Sequence, residues 1–271
     1  MCQVFEVSQS AFFDSVNRKP SEHDKRDASL AQSIEKIHTA SRRCYGTRRI
    51  KVELQRQHGP VSRRRIGRIM KRHDIQVKTK RKFVATTHSN HHLKVAPNRL
   101  NRQFLTEQPD RVYVGDITYI QTDEGWLYLA VMIDLFSRAV VGWAMSNRMG
   151  AELVNQALLM AIAQRKPKPG LMIHSDQGSQ YASHLFQDNL TEHGFVCSMS
   201  RKANCWDNSV SESFFHTLKT ELIYHEQYAT REQAQNAIFE YIEVFYNRQR
   251  RHSTLGYLSP LAFEQHYHRA A

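Results

Sequence analysis

The stretch Arg111-Val-Tyr-Val-Gly-Asp-Ile-Thr-Tyr-Ile120 reads as a β-strand and carries one acid, Asp116, in its middle. An ionised carboxylate with Val114 and Ile117 as neighbours is costly unless something compensates its charge, so this acid points to a ligand. Working outward, residues 126–134 and 139–145 read as two further strands joined by a short turn at Phe136-Ser137, which makes a three-stranded meander. A helical pattern fills 151–164, and an apolar strand follows at 171–174. Then come a helix at about 182–193, a strand at 195–199 and two long helical patterns at 208–224 and 231–247. Strands alternating with helices in this way predict an α/β fold, a mixed sheet flanked by helices.

Two more acids fall at telling places. Asp176 ends the fourth strand within His-Ser-Asp-Gln-Gly-Ser, where a glycine turn leaves its side chain at the carboxyl edge of the sheet. Ligands collect at such edges. Glu212 lies on the helix whose Val210, Phe214, Leu218 and Leu222 recur every four residues and face the core. Glu212, His216 and Lys219 share another face, with Glu212 and Lys219 only about 20° from eclipsed at 100° per residue. Taken singly, either aspartate also suits a turn or cap, and the helix face also suits ordinary solvated charges. Taken together, the three acids have the makings of a divalent-metal site for phosphodiester chemistry, in which hard cations take carboxylate oxygens.

The 271 residues carry a net charge of +12, and the excess is confined to one part. Residues 1–110 hold 24 Lys and Arg against 10 Asp and Glu, whereas residues 111–271 hold 14 against 16. A basic front on a nearly neutral body predicts a polyanion-binding portion, with nucleic acid as the leading partner and a solubilising face as the alternative. Within that front, Ile50 and Leu54 sit one turn apart, Gly59-Pro60 ends the helix, and Ser62 is a candidate N-cap. The next helix has an apolar stripe of Ile66, Ile69 and Met70 among Arg63, Arg64, Arg65, Arg68, Lys71 and Arg72. The pair reads as helix-turn-helix with its second helix facing DNA, or as an ordinary helical hairpin with a basic surface. The expected organisation is a helical, basic, helix-turn-helix-like region at 1–77, a basic linker at 78–108 and a catalytic core with C-terminal helices at 109–271. His88, His91 and His92 in the linker lack complementary ligands at metal spacing and read as solvated.

Cys2, Cys44, Cys197 and Cys205 form no C-x-x-C pair and read as reduced thiols. With neither a membrane-length apolar run nor a signal-like N-terminus, the expected location is the cytoplasm. Near the C-terminus Asn247, Arg248, Arg250, Arg251 and His252 form a basic run suited either to phosphate contacts or to capping the preceding helix.

The sequence resembles the DDE transposase and retroviral integrase superfamily, and more closely the OrfB transposase subunit of the IS3 family of bacterial insertion sequences. The matching elements are YGTRRI (45–50), GDITYI (115–120), IDLFSR (133–138), HSDQGSQY (174–181), NCWDNSVSESFF (204–215) and FYNRQRRHSTLGYLSP (245–260). Between Asp176 and Glu212 lie 35 residues, the family's interval, and Lys219 stands seven after the glutamate, where the family carries Lys or Arg. Tyr113 departs from the family's usual Trp, and Asp134 matches as strand-end structure.

This resemblance implies an RNase H-like core that cleaves DNA ends and transfers strands in bacteria. It implies Asp116, Asp176 and Glu212 as ligands of two Mg²⁺ ions, with Mn²⁺ as a substitute, and Lys219 beside the DNA. Arg63, Arg64, Arg65, Arg68, Arg250 and Arg251 are the further DNA-contact candidates. The expected partners are element ends and target DNA, further copies of the chain on DNA, and an upstream OrfA subunit or frameshift fusion; no membrane is expected. A DNA-binding regulator with a degenerate core is disfavoured by the three intact acids. A stand-alone RNase H-like nuclease is disfavoured by the basic front and the NCWDNSVSES element.

Overall fold

In the computed structural model, which describes residues 8–17, 21–78, 95–201 and 204–270 with positions 2, 19 and 93, the chain divides into two units, Met1–Lys78 and Thr79–Ala271. His88, His91 and His92 lie outside the described residues. In the first unit the helices are α1 (Gln9–Asn17), α2 (Glu22–Ala40), α3 (Thr47–His58) and α4 (Arg63–Arg72). The helix α2 is not among the elements expected above; its signal is a capping box in which Ser21 and Asp24 exchange hydrogen bonds. Its Leu30, Ala31 and Ile34 pack with Ile50 and Leu54 of α3 and with Ile66, Ile69 and Met70 of α4, all buried. Gly59, at φ +69°, turns the chain between α3 and α4, and the Ser62 hydroxyl accepts the Arg65 amide as the expected N-cap.

The second unit is built on β1 (Val112–Thr122), β2 (Gly125–Asp134) and β3 (Val140–Ser146), followed by α5 (Ala151–Arg165), β4 (Met172–Ser175), α6 (His184–Glu192) and β5 (Val196–Met199). Three helices complete it: α7 (Ser209–Glu221), α8 (Arg231–Phe239) and α9 (Pro260–Ala270). The sheet order is β3-β2-β1-β4-β5. The first three strands form the expected antiparallel meander, while β4 pairs parallel to β1 and β5 parallel to β4. Tyr113, Ala130 and Met132 join α5 and α6 in one core. The alternate residues Leu127, Leu129, Val131 and Ile133 are equally buried and point to the other face, where α7 and α8 pack. No helix among the described residues is long and apolar enough to cross a membrane.

Two helical expectations change at their ends. The pattern expected over 208–224 is α7 alone, bracketed by 3₁₀ turns at Cys205–Asn208 and Ile223–His225. The pattern expected over 231–247 is α8 running into a π-helical stretch, Glu240–Tyr246. The wider turn lets Tyr241, Ile242, Phe245 and Tyr246 all bury, and the Asn247 amide reaches back to the Ile242 carbonyl. Part of the expected linker is docked on this unit: Leu100 is buried, and the Arg99 and Leu100 amides donate to the Ser198 hydroxyl. Asp134 closes the β2–β3 turn, accepting from the Ser137 amide and hydroxyl and from the Asp110 amide, and burial raises its pKa to about 6.

Gly142 sets how closely α5 lies on β3. A Cβ there would stand 2.2 Å from the Ala157 carbonyl oxygen and 2.7 Å from the Ala161 nitrogen, both backbone atoms that can move only with the helix. Gly142→Ala is expected to lower the unfolding free energy by about 1–3 kcal/mol in urea titration. An unchanged midpoint would show that α5 shifts freely.

Candidate active site

Parallel pairing places Val114 opposite His174, and two further residues along the same register bring Asp116 of β1 abreast of Asp176, just past the end of β4. Carried on by the strand period of two, this register sets both acids on one face, with adjacent strands about 4.8 Å apart, and the Asp176 charge acts on the Asp116 carboxyl. Asp116 keeps an oxygen on the Ile117 amide at 2.8 Å, and Asp176 accepts the Gly178 amide at 2.9 Å in a tight turn. A Cβ on Gly178 would stand 3.0 Å from that Asp176 oxygen, so the residue's lack of a side chain permits the turn. The Gln177 side chain ties the turn to the Ser200 carbonyl.

The third acid arrives on α7, whose start is fixed to β1 by the Asn208 amide group donating to the Gly115 carbonyl at 3.2 Å. Phe214 and Leu218 bury toward the sheet, while Glu212 and His216 stay on the exposed side as their spacing requires. Lys219 is half-buried, with its ammonium 5.0 Å from the centre of the Tyr119 ring, which itself stacks edge-on with Trp126.

The charges of the other two acids act on Asp116. Burial pushes the Asp116 carboxyl well above its ordinary pKa, and the negative charges of Asp176 and then Glu212 push the same way, against the Ile117 amide and Lys219. Burial also raises Glu212 and lowers Lys219, whose ammonium Asp116 in turn stabilises. Tyr181 lies within the field of Asp116 and Asp176. Among the described residues, its buried hydroxyl, Asn208 Oδ1 and the Ser211 hydroxyl have no hydrogen-bond partner. All-oxygen donors under mutual repulsion, beside orphaned buried polar atoms, fit a hydrated hard cation. Among the described residues, no three His, Cys, Asp or Glu side chains stand close enough to enclose a metal by themselves.

Spacing did not single out Asp207 or His174. Asp207 is fully buried, and hydrogen bonds from Arg201 and Arg102 hold its carboxyl below the ordinary carboxylate range despite burial. His174 sits inside HSDQGSQY and Asp207 inside NCWDNSVSESFF, but apart from Arg201, six positions before Asp207, their side-chain partners come from 24 to 109 positions away.

A family model described as an integrase core domain matches residues 106–205, a second so described matches 212–267, and an HTH-like domain matches 24–83. A 31 kDa protein of insertion element IS600 from Shigella sonnei is 46% identical over the full length of both chains. The transposase InsF for insertion sequence IS3A from Escherichia coli strain K12 is 41% identical over 97% of this chain and 92% of that one. The solved HTLV-2 integrase catalytic core in complex with magnesium covers 58% of this chain and 97% of that chain, with 18% identity and a TM-score of 0.45, too loose a likeness to bear on the site.

The basic candidates divide. On α4, Arg63 and Arg64 are exposed, whereas Arg65 and Arg68 send nitrogens to the buried Asp27 of α2 at 2.7 and 2.9 Å. Burial alone would raise the pKa of Asp27, but Arg65, with His23 and Arg68, brings it below its ordinary value. Arg251 is half-buried and donates to the Tyr257 carbonyl. Arg250 is not a phosphate contact: it is buried and forks onto Glu221 of α7 through two 2.8 Å bonds, with the Tyr241 hydroxyl donating to the same carboxylate. Asn247 exchanges both side-chain bonds with the Val140 backbone. Arg250→Gln is expected to cost about 3–5 kcal/mol of stability by stranding Glu221, and to leave the salt dependence of DNA binding unchanged. A stable variant with a flatter salt slope would return Arg250 to the DNA surface.

Proposed function

This chain belongs to the IS3 family of insertion-sequence transposases, and from that membership we propose that Asp116, Asp176 and Glu212 are the carboxylates through which it breaks and joins DNA. The chain is a polynucleotidyl transferase acting in DNA transposition and integration. The observation that carries the residue assignment is the β1–β4 register, which sets two acids abreast, with the charge of α7's glutamate felt at Asp116.

In strand transfer the oxygen of a DNA 3′-hydroxyl bonds to a target phosphorus while the P–O bond to the leaving 3′-oxygen breaks. The attacking hydroxyl gives up its proton to solvent, and the leaving oxygen gains one. Asp116, Asp176 and Glu212 would hold Mg²⁺, or Mn²⁺ in its place, with two ions expected; bound there, such cations supply positive charge to the attacking and leaving oxygens. Lys219, held over Tyr119, meets a phosphate as a point charge and keeps it in place. The α3–α4 pair would grip the duplex through Arg63 and Arg64, with Arg65 and Arg68 braced by Asp27. The active assembly would be several copies on DNA in the bacterial cytoplasm, with an upstream OrfA subunit or fusion.

With a duplex bearing the element's terminal repeats as substrate, Asp116→Asn, Asp176→Asn and Glu212→Gln should each cut strand transfer by about a hundred-fold or more, with end binding little changed. Near wild-type transfer in any one removes that residue from the site. Lys219→Ala should weaken end binding and transfer without altering the Mg²⁺ titration, and Lys219→Arg should retain much of both. Wild-type behaviour of the alanine variant would leave Lys219 without a DNA role.

A further inference from the structure

We propose that Asp207 is a positioning residue for strand transfer, setting the gap between Asp176 and Glu212; this rests on the reading of those two acids above. Asp207 lies on the 3₁₀ turn that leads into α7, five positions before Glu212, and is 0% exposed. Its carboxylate takes five hydrogen bonds. Oδ1 accepts from Arg102 Nε and Arg201 Nη2, both at 2.8 Å. Oδ2 accepts from Asn98 Nδ2 at 2.9 Å, Arg201 Nε at 2.8 Å and the Arg201 amide at 3.1 Å.

The backbone of the same residue reaches the strand that carries Asp176. The Ser198 oxygen accepts the Arg99 and Leu100 amides, so its single proton goes to His174 Nδ1 at 2.9 Å. His174 Nε2 therefore carries the ring proton and donates it to the Asp207 carbonyl at 3.0 Å. His174 stands on β4, two residues before Asp176. The next residue, Asn208, bonds to β1 beside Asp116. The lead-in to α7 is thus tied to both strands bearing the other acids.

An apolar turn would fill the same space with more latitude. A fully donated carboxylate fixes angles as well as distance, at a desolvation cost that only complete pairing offsets. Glu212 projects from the exposed side of α7, so its place is decided by the backbone that Asp207 holds.

The test uses the full chain and Mn²⁺ alone as the probe, read by electron paramagnetic resonance, beside strand transfer, end binding and thermal melting. Asp207→Asn should weaken Mn²⁺ binding and strand transfer each by about ten-fold or more, with end binding within about two-fold. A variant that melts earlier yet binds Mn²⁺ and transfers strands as wild type, at a temperature where it is folded, overturns the proposal. Should Asp207→Asn fail to fold, Arg201→Gln decides, because Arg201 is half-exposed and leaves the other donors in place. It should weaken Mn²⁺ binding a few-fold, and wild-type affinity there overturns the proposal. Asp176→Asn and Glu212→Gln run alongside. Undiminished Mn²⁺ binding in both discards the reading of the acids and this inference with it, whereas loss in those two alone discards only the role of Asp207.

Discussion

The parallel pairing of β1 with β4 places two carboxylates side by side on one face of a sheet, and the rest of the catalytic unit answers to that repulsion. Like charges one strand apart are unfavourable until cations or lysines offset them. A sheet is a stiff support for such an arrangement, because each backbone is held by its ladder on both sides and by packed helices on both faces. The strained component is then the charge and not the backbone, and cations must offset that charge before an anionic substrate can approach.

The third acid is delivered by a helix, and α7 is secured at each end by a buried carboxylate paired with arginine. At its start, Asp207 gathers Arg102, Arg201 and Asn98. At its end, Glu221 is gripped by Arg250 and Tyr241. Between them the apolar stripe of Phe214 and Leu218 supplies adhesion but little resistance to sliding. Directional bonds at the termini supply that resistance, and the register of Glu212 and Lys219 against β1 follows from them.

The helical unit uses an acid in another way. Asp27 draws two arginines of α4 onto α2, so a helix dense in positive charge packs against its neighbours without stacking every guanidinium on one face. The arrangement braces the basic helix in a defined orientation, and it tethers two, Arg65 and Arg68, of four arginines that look equivalent in sequence.

Much of this was legible in the chain order of residues. The strand around Asp116, the glycine turn after Asp176, the four-residue stripe that puts Glu212 and Lys219 on one face, and the Gly59–Ser62 boundary between two helices are all local patterns. Such patterns depend only on backbone period and on which residues cap or turn a chain, so sequence by itself determined them. It did not show that β4 would lie beside β1, that Asp207 would meet Arg102 from 105 residues away, or that Arg250 would be spent inside the fold on Glu221. Nor did it reveal the π-helical turn that lets Tyr241, Ile242, Phe245 and Tyr246 bury together. Those are choices among partners distant along the chain, where many pairings satisfy the same local pattern. Only packing in three dimensions, with every buried charge required to find its counterpart, selects between them.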